Sequence, residues 1–215
     1  YIHLVKVIRL KIGDEISLFN NTSGEWKCEI IDIKNNFLKA KAISQISSPR
    51  SEALIDLMFS PIKYQNSEAI IRQATEMGVR SLFPTTFKRT INKKINLDKF
   101  NAYALGATQQ SGRLSIPKID KLNDLKSRSD ILSDKTVLMF DENLEGIHLS
   151  QAKIKSNDEI LVIIGPEGGF EEEERAFISN ASKNFLNVSL GHNILKADTA
   201  VIAALSLTFH YFYEN

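Results

Sequence analysis

With 215 residues, 43% of them apolar and 25% charged, the chain has the composition of a folded protein of one large or two small domains, which excludes general disorder. Its lone cysteine, Cys28, excludes an internal disulfide framework and a multi-cysteine zinc site, and fits a reducing cytoplasm. The net charge of +1 hides a polarity: residues 1–128 carry 21 Lys and Arg against 12 Asp and Glu, and residues 129–215 carry 6 against 14. That asymmetry suits a basic face for a polyanion beside an acidic remainder.

The first sixty residues read as strands. Tyr1 to Leu10 is rich in Ile, Leu and Val, Ile16 to Phe19 alternates, and Asn20 to Gly24 is a turn cluster. Trp26 to Ile33 and Phe37 to Ile46 complete a set of short strands with no helix between them, the pattern of a small β-barrel. Ala53 to Phe59 is a further apolar run, and the domain boundary is expected near Ser60 to Gln65, with domains 1–61 and 62–215.

The period then changes. Ser67 is placed to cap a helix with Ile70, Ile71, Ala74 and Met77 on one face, ended by Gly78. Val79 to Phe83 reads as a strand closed by Pro84, and Leu97 to Gln110 as a helix with Phe100, Tyr103, Ala104 and Ala107 inward. Strands follow at Val137 to Phe140, Leu161 to Ile164 and Leu186 to Leu190, with helices at Glu171 to Ala181 and Asp198 to Tyr213. Alternation of this kind predicts an α/β domain with a largely parallel sheet. No apolar run reaches bilayer length.

Three strand ends carry the candidate chemistry, since ligands of open α/β sheets bind at the carboxyl ends of strands. They are Phe140-Asp141, Gly165-Pro166-Glu167-Gly168-Gly169, and the loop from Leu190-Gly191 to Thr199-Ala200. The glycine segment is neither a P-loop nor GxGxxG, and the glutamates after it argue against a phosphate there. A neutral or cationic ligand suits it better.

The segment Leu161 to Glu174, with its Gly-Pro-Glu-Gly-Gly centre, closely resembles the signature of the RsmE family, 16S ribosomal RNA (uracil-N3)-methyltransferases of the SPOUT superfamily. Leu190-Gly191 through Ile194-Leu195 to Thr199-Ala200 resembles the family's LGxRILRxETA. Ala74 to Val79, Gln109 to Arg113 and the opening His3 to Asp14 resemble further family motifs, in order along nearly the whole chain.

The resemblance implies an N-terminal PUA-like β-barrel that binds RNA, a C-terminal SPOUT domain with a trefoil knot, a cytoplasmic homodimer, S-adenosylmethionine as cofactor without a metal, and 16S ribosomal RNA in the small subunit as substrate. The cofactor set it implies is Phe140, Asp141, Ile164, Gly165, Pro166, Gly168, Gly169, Leu190, Gly191, Ile194, Leu195 and Thr199. Glu167 is a candidate base for the uracil N3 proton, or equally a shaper of its loop; Arg113 or Arg89 is a candidate stabiliser of the developing anion. Arg9, Lys11, Lys88, Arg89 and Arg113 are candidate RNA contacts.

The family's two arginines in RILR are Asn193 and Lys196 here, and its ETA glutamate is Asp198, itself a candidate cap for the last helix. These departures are expected to touch RNA-side details more than cofactor binding. The stripe Val201, Ile202, Leu205, Phe209 and Phe212 is expected to be a buried helix face, part of it at a dimer interface. Two other readings stand beside the leading one: a non-catalytic RNA-binding protein with a vestigial knot, and a SPOUT methyltransferase with another RNA target.

Overall fold

The computed structural model describes residues 2–34, 36–62, 64–141, 146–155 and 157–214, and the chain divides into two units at Ser51/Glu52. In the first unit, β1 (Glu15–Asn20), β2 (Gly24–Lys34) and β3 (Phe37–Ser47) pair antiparallel in that order. The β1–β2 turn is built by Asn20, whose Oδ1 accepts from the backbone N–H of Thr22 at 3.0 Å and of Ser23 at 2.6 Å. Gly24 closes the turn at φ +80°, and a Cβ there would lie 2.1 Å from the Ser47 carbonyl oxygen. Trp26 donates its indole N–H to the Ser23 carbonyl at 2.8 Å, so this ring pins a turn.

The sequence reading needs one correction in this unit. Ile2–Val7 is a π-helical turn, not a strand. Its β-branched residues favour an extended chain only where a partner strand exists, and the sheet of β1, β2 and β3 gives it none. The small barrel is realised, among the described residues, as a three-stranded meander.

The second unit is a seven-stranded parallel sheet of β4 (Ile55–Phe59), β5 (Ser81–Thr86), β6 (Lys118–Ile119), β7 (Asn123–Asp124), β8 (Thr136–Phe140), β9 (Ile160–Ile164) and β10 (Asn184–Asn187), in the order β10-β8-β9-β4-β5-β6 with β7 also on β5. β4 (Ile55–Phe59), β8 (Thr136–Phe140) and β9 (Ile160–Ile164) are buried at every position. That is why they read as unbroken apolar runs: helices cover both faces. Leu57, Phe59, Leu138, Phe140, Val162 and Ile164 face one core, against α1 (Tyr64–Met77), α2 (Leu97–Ser111) and α5 (Ala197–Glu214). Met58, Val137, Met139, Leu161 and Ile163 face the other, with Leu132 of α3 (Ser129–Ser133) and Ile178 of α4 (Glu172–Ala181). The expected boundary at 61/62 is thus too late, because β4 lies inside this sheet between β9 and β5.

Other differences are local. α1 starts at Tyr64, so Ser67 is not its cap; the hydroxyl instead accepts from the Ile62 N–H at 3.2 Å and donates to the Ile62 carbonyl at 2.9 Å. β5 (Ser81–Thr86) runs through Pro84. This is tolerated because its outer edge is paired at Ser81 and Leu82 by β6 (Lys118–Ile119) and at Thr85 and Thr86 by β7 (Asn123–Asp124), leaving Pro84 in the gap. β10 is Asn184–Asn187, earlier than expected. Asp198 lies inside the first turn of α5 and does not cap it. On α5, Val201, Leu205 and Phe209 are buried, while Ile202 is exposed.

Two charge clusters fix the sheet. At the amino ends of the strands, Arg80 donates to both Asp56 oxygens, at 3.0 and 2.7 Å, and also to Glu159. The Lys135 ammonium joins Asp56 at 2.9 Å and Glu159 at 2.7 Å. Near the far end of β5, Arg128, 1% exposed, donates to the carbonyls of Pro84 and Lys121 at 2.9 Å each, to the Thr85 hydroxyl at 3.3 Å, and to Asp120. Among the described residues no helix is long and apolar enough to cross a membrane.

Candidate active site

The carboxyl ends of β8 and β9 are level, with Phe140 opposite Ile164. Around them opens a cleft of about 290 Å³. Phe140 and Asp141 form one wall, and Ile164 to Glu167 with Gly169 and Phe170 form the second. Leu190, Gly191 and Asn193 to Ala197, with Ala200, form the third. Apolar side chains dominate, and a few polar groups converge, which is the usual make-up of a small-molecule site.

The glycines are needed here for two different reasons. A Cβ on Gly165 would lie 2.7 Å from the Phe170 ring, so only glycine lets Phe170 fold back beneath the loop, edge-on to Phe87 at 5.3 Å. Gly169, at φ +73°, donates its N–H to the Pro166 carbonyl at 2.9 Å and closes the turn that carries Glu167.

The charged groups of the cleft differ in how far they are committed. The Asp141 side chain is fully buried and held by both arms of Arg175 from α4. That carboxylate raises the Arg175 pKa. Asp141 therefore walls the cleft as half of an ion pair. The Glu167 side chain is exposed and makes no hydrogen bond or ion pair among the described residues, and the same holds for the Lys196 side chain.

The loop is braced from the β5 side. Arg89 donates Nε to Glu171 at 2.7 Å and Nη1 to the Gly168 carbonyl at 2.6 Å. Glu174 accepts from the Glu171 N–H at 2.9 Å and from the Lys88 N–H at 2.7 Å, so its carboxylate ties the start of α4 to the segment after β5.

Every residue of the expected cofactor set lines the cleft except Gly168 and Thr199. Gly168 faces Arg89, whose Cδ would lie 3.3 Å from an added Cβ, and Thr199 is exposed on α5. Arg113 does not reach the cleft. It donates to the carbonyls of Thr75 at 2.8 Å and Val79 at 3.0 Å, pairs with Glu52 at 3.3 Å, and burial lowers its pKa. Arg113 therefore braces the end of α1, away from the cleft lining. Arg9 and Lys11 are exposed in the first unit, and Lys88 is exposed beside α4. The sequence reading missed Phe170, Ala197 and Ala200, and it assigned Asn193 and Lys196 to the RNA side; both line the cleft. The signal was available, since both fall within the loop already singled out.

The parallel sheet, the strand-end cleft and two family profiles together place the chain among the RNA methyltransferases. A sequence profile of the RNA methyltransferase domain matches residues 49–208, and one of the RNA methyltransferase PUA domain matches residues 2–43. The ribosomal RNA small subunit methyltransferase E of Rickettsia conorii is 33% identical, with 96% of this chain and 85% of that protein covered. The chain belongs to the ribosomal RNA small subunit methyltransferase E family. Among solved structures, a Legionella pneumophila protein assigned as a methyltransferase, with S-adenosylmethionine bound, is 25% identical and superposes with a TM-score of 0.79 over 97% of this chain and 88% of that one. The Neisseria gonorrhoeae small subunit methyltransferase E, bound to the same cofactor, shares the fold at 21% identity, with a TM-score of 0.85 over 98% of this chain and 89% of that one.

Proposed function

We propose that the chain transfers the methyl group of S-adenosylmethionine to N3 of a uracil in the 16S RNA of the small ribosomal subunit, acting in the cytoplasm as a homodimer. The observation that carries this reading is the cleft at the ends of β8 and β9: apolar walls for an adenine, glycine backbone for close approach, and one uncommitted carboxylate at its lip. The residues fit the cofactor, and the SPOUT resemblance assigns these loops to the knot. Bound there, S-adenosylmethionine supplies an electrophilic methyl on a sulfonium cation.

The chain's own residues supply the rest. Phe140, Ile164, Leu190, Ile194 and Leu195 exclude water from the cofactor ring, which strengthens the electrostatics of the site. Glu167 is placed to take the N3 proton; the bound cofactor would supply the methyl, its methyl–sulfur bond breaking with the electron pair left on sulfur. Lys196 places positive charge at the cleft where charge builds on the base. Exposed Ile202 and Leu207 on α5 support a homodimer formed through that helix.

The test is calorimetric titration with S-adenosylmethionine, then methyl transfer to small ribosomal subunits from cells lacking the enzyme, with the modified atom mapped by mass spectrometry. One saturable site per chain and a 3-methyluridine product are expected. Binding without transfer would favour another RNA target, and silence in both would favour a non-catalytic RNA binder.

A further inference from the structure

We infer that the small recess beside the cofactor cleft seats the edge of the methyl-accepting base, and that its lining selects the imide edge of uracil over that of cytosine. This rests on the methyltransferase reading above. The recess is lined by Ser60, Ile62, Arg89, Ile91, Asn92 and Glu167, and it shares Pro166 and Glu167 with the larger cleft. Pro166 and Glu167, common to both, put a base edge seated in the recess next to the cofactor cleft.

The uracil edge runs acceptor, donor, acceptor: O4, N3–H, O2. The recess offers the complement. Glu167 is an uncommitted acceptor. Arg89 uses Nε and Nη1 on Glu171 and Gly168, and its Nη2 makes no hydrogen bond among the described residues. Asn92 donates one Nδ2 hydrogen to the Ile62 carbonyl at 3.1 Å and accepts the Lys94 N–H on Oδ1 at 3.4 Å, which fixes the amide and leaves its second N–H. Cytosine would set an amino donor against these donors and an unprotonated N3 against the Glu167 carboxylate. It would also have no N3 proton for Glu167 to remove.

The recess encloses only about 30 Å³. That is room for a base edge, not a ring, so the ring lies outside, over Ile91. Ile91 is 81% exposed beside a buried Ile62. Unstacked bases are read in this way in RNA recognition, by a flat apolar contact and hydrogen bonds to the Watson–Crick edge. The backbone beneath is rigid: the buried hydroxyls of Ser60 and Thr90 meet at 2.8 Å, and the Thr90 hydroxyl accepts the Phe87 N–H at 2.8 Å.

The experiment compares Asn92→Asp, Asn92→Ala and Ile91→Ala with the unaltered protein. It measures transfer from radiolabelled S-adenosylmethionine to small ribosomal subunits, with calorimetric cofactor affinity as the control for folding. Asn92→Asp, which turns a donor into an acceptor, is expected to lower kcat/KM by about 100-fold or more, and Asn92→Ala by about 10-fold. Ile91→Ala is expected to raise KM for the subunit with kcat unchanged. Cofactor affinity should stay within about two-fold in all three, because neither residue lines the cofactor cleft. Wild-type transfer by Asn92→Asp, with cofactor binding intact, overturns the inference. Failure of the unaltered protein to bind cofactor or transfer a methyl overturns the functional reading, and this inference falls with it.

Discussion

Arg89, on the segment after β5, meets Glu171 at the start of α4 at 2.7 Å, and the same guanidinium holds the Gly168 carbonyl at 2.6 Å. One side chain thus spans the loop that carries Glu167. As an ion pair it is half-exposed, 49% at Arg89 and 33% at Glu171, so its contribution to global stability is small, about 0–1 kcal/mol. Its effect falls on the loop. Arg89→Ala is expected to weaken S-adenosylmethionine binding about five- to ten-fold by calorimetry, with the unfolding midpoint nearly unchanged. Arg89→Lys should recover little, since an ammonium lacks the fork that holds two partners at once. Cofactor affinity equal to that of the unaltered protein would show that the loop holds its shape without this brace.

Glu167 is the test of proton removal. Glu167→Gln keeps the shape of the lip and loses the acceptor for the N3 proton. Cofactor affinity should be preserved while kcat falls about 100- to 10,000-fold. Because a more alkaline solution deprotonates uracil directly, the variant's rate should climb with pH more steeply than that of the unaltered enzyme. A kcat close to the unaltered value would assign Glu167 to loop shape alone.

These two residues show what the sequence could and could not disclose. The strand–loop–helix rhythm made β8, β9 and their terminal loops legible, because strands buried on both faces leave unbroken apolar runs. The motif match then assigned nearly the whole cleft wall. Commitments among charges were not legible. Arg113 and Arg89 look alike in sequence, yet Arg113 is consumed by the carbonyls of Thr75 and Val79 and by Glu52, while Arg89 keeps Nη2 uncommitted among the described residues. Asp141 and Glu167 both lie in loops that follow strands, and Arg175 neutralises the first only. The order β10-β8-β9-β4-β5-β6 was equally hidden, since local pattern carries no information on which strand pairs with which. Ile2–Val7 was misread because strand propensity is realised only where a neighbouring edge exists.

Arg128 is the buried charge whose loss should cost most. Its guanidinium is spent on Asp120, two carbonyls and a hydroxyl, and it lies 5.4 Å from the centre of the Phe83 ring. Arg128→Ala leaves the Pro84 and Lys121 carbonyls without this donor, while Asp120, 33% exposed, keeps the Lys121 N–H at 2.8 Å. The expected loss is about 2–4 kcal/mol in urea denaturation, from the lost packing and the stranded carbonyls. Arg128→Met fills the same space and should recover part of it through packing alone. A loss below 1 kcal/mol would mean that water enters and satisfies the stranded groups.

Glu159 gives the fold a pH dependence of known sign. Hydrogen bonds from Arg80, then from Lys135, hold its carboxyl at about 2, against an ordinary value of 4.5. A carboxylate whose pKa is depressed by folding contributes stability above its unfolded value and loses it as the pH drops through the folded one. The contribution of Glu159 is thus complete at neutral pH, declines from about pH 4.5, and is gone only below about pH 2. Its side chain is 43% exposed, so solvent screening limits the effect to about 1 kcal/mol. Glu159→Gln should lower the unfolding midpoint at pH 7 by a few degrees and flatten the stability profile between pH 4.5 and 2. Below about pH 2 the two proteins should converge. A constant gap between them across that range would mean that Glu159 acts by packing, and that Asp56 alone carries the charge of the cluster.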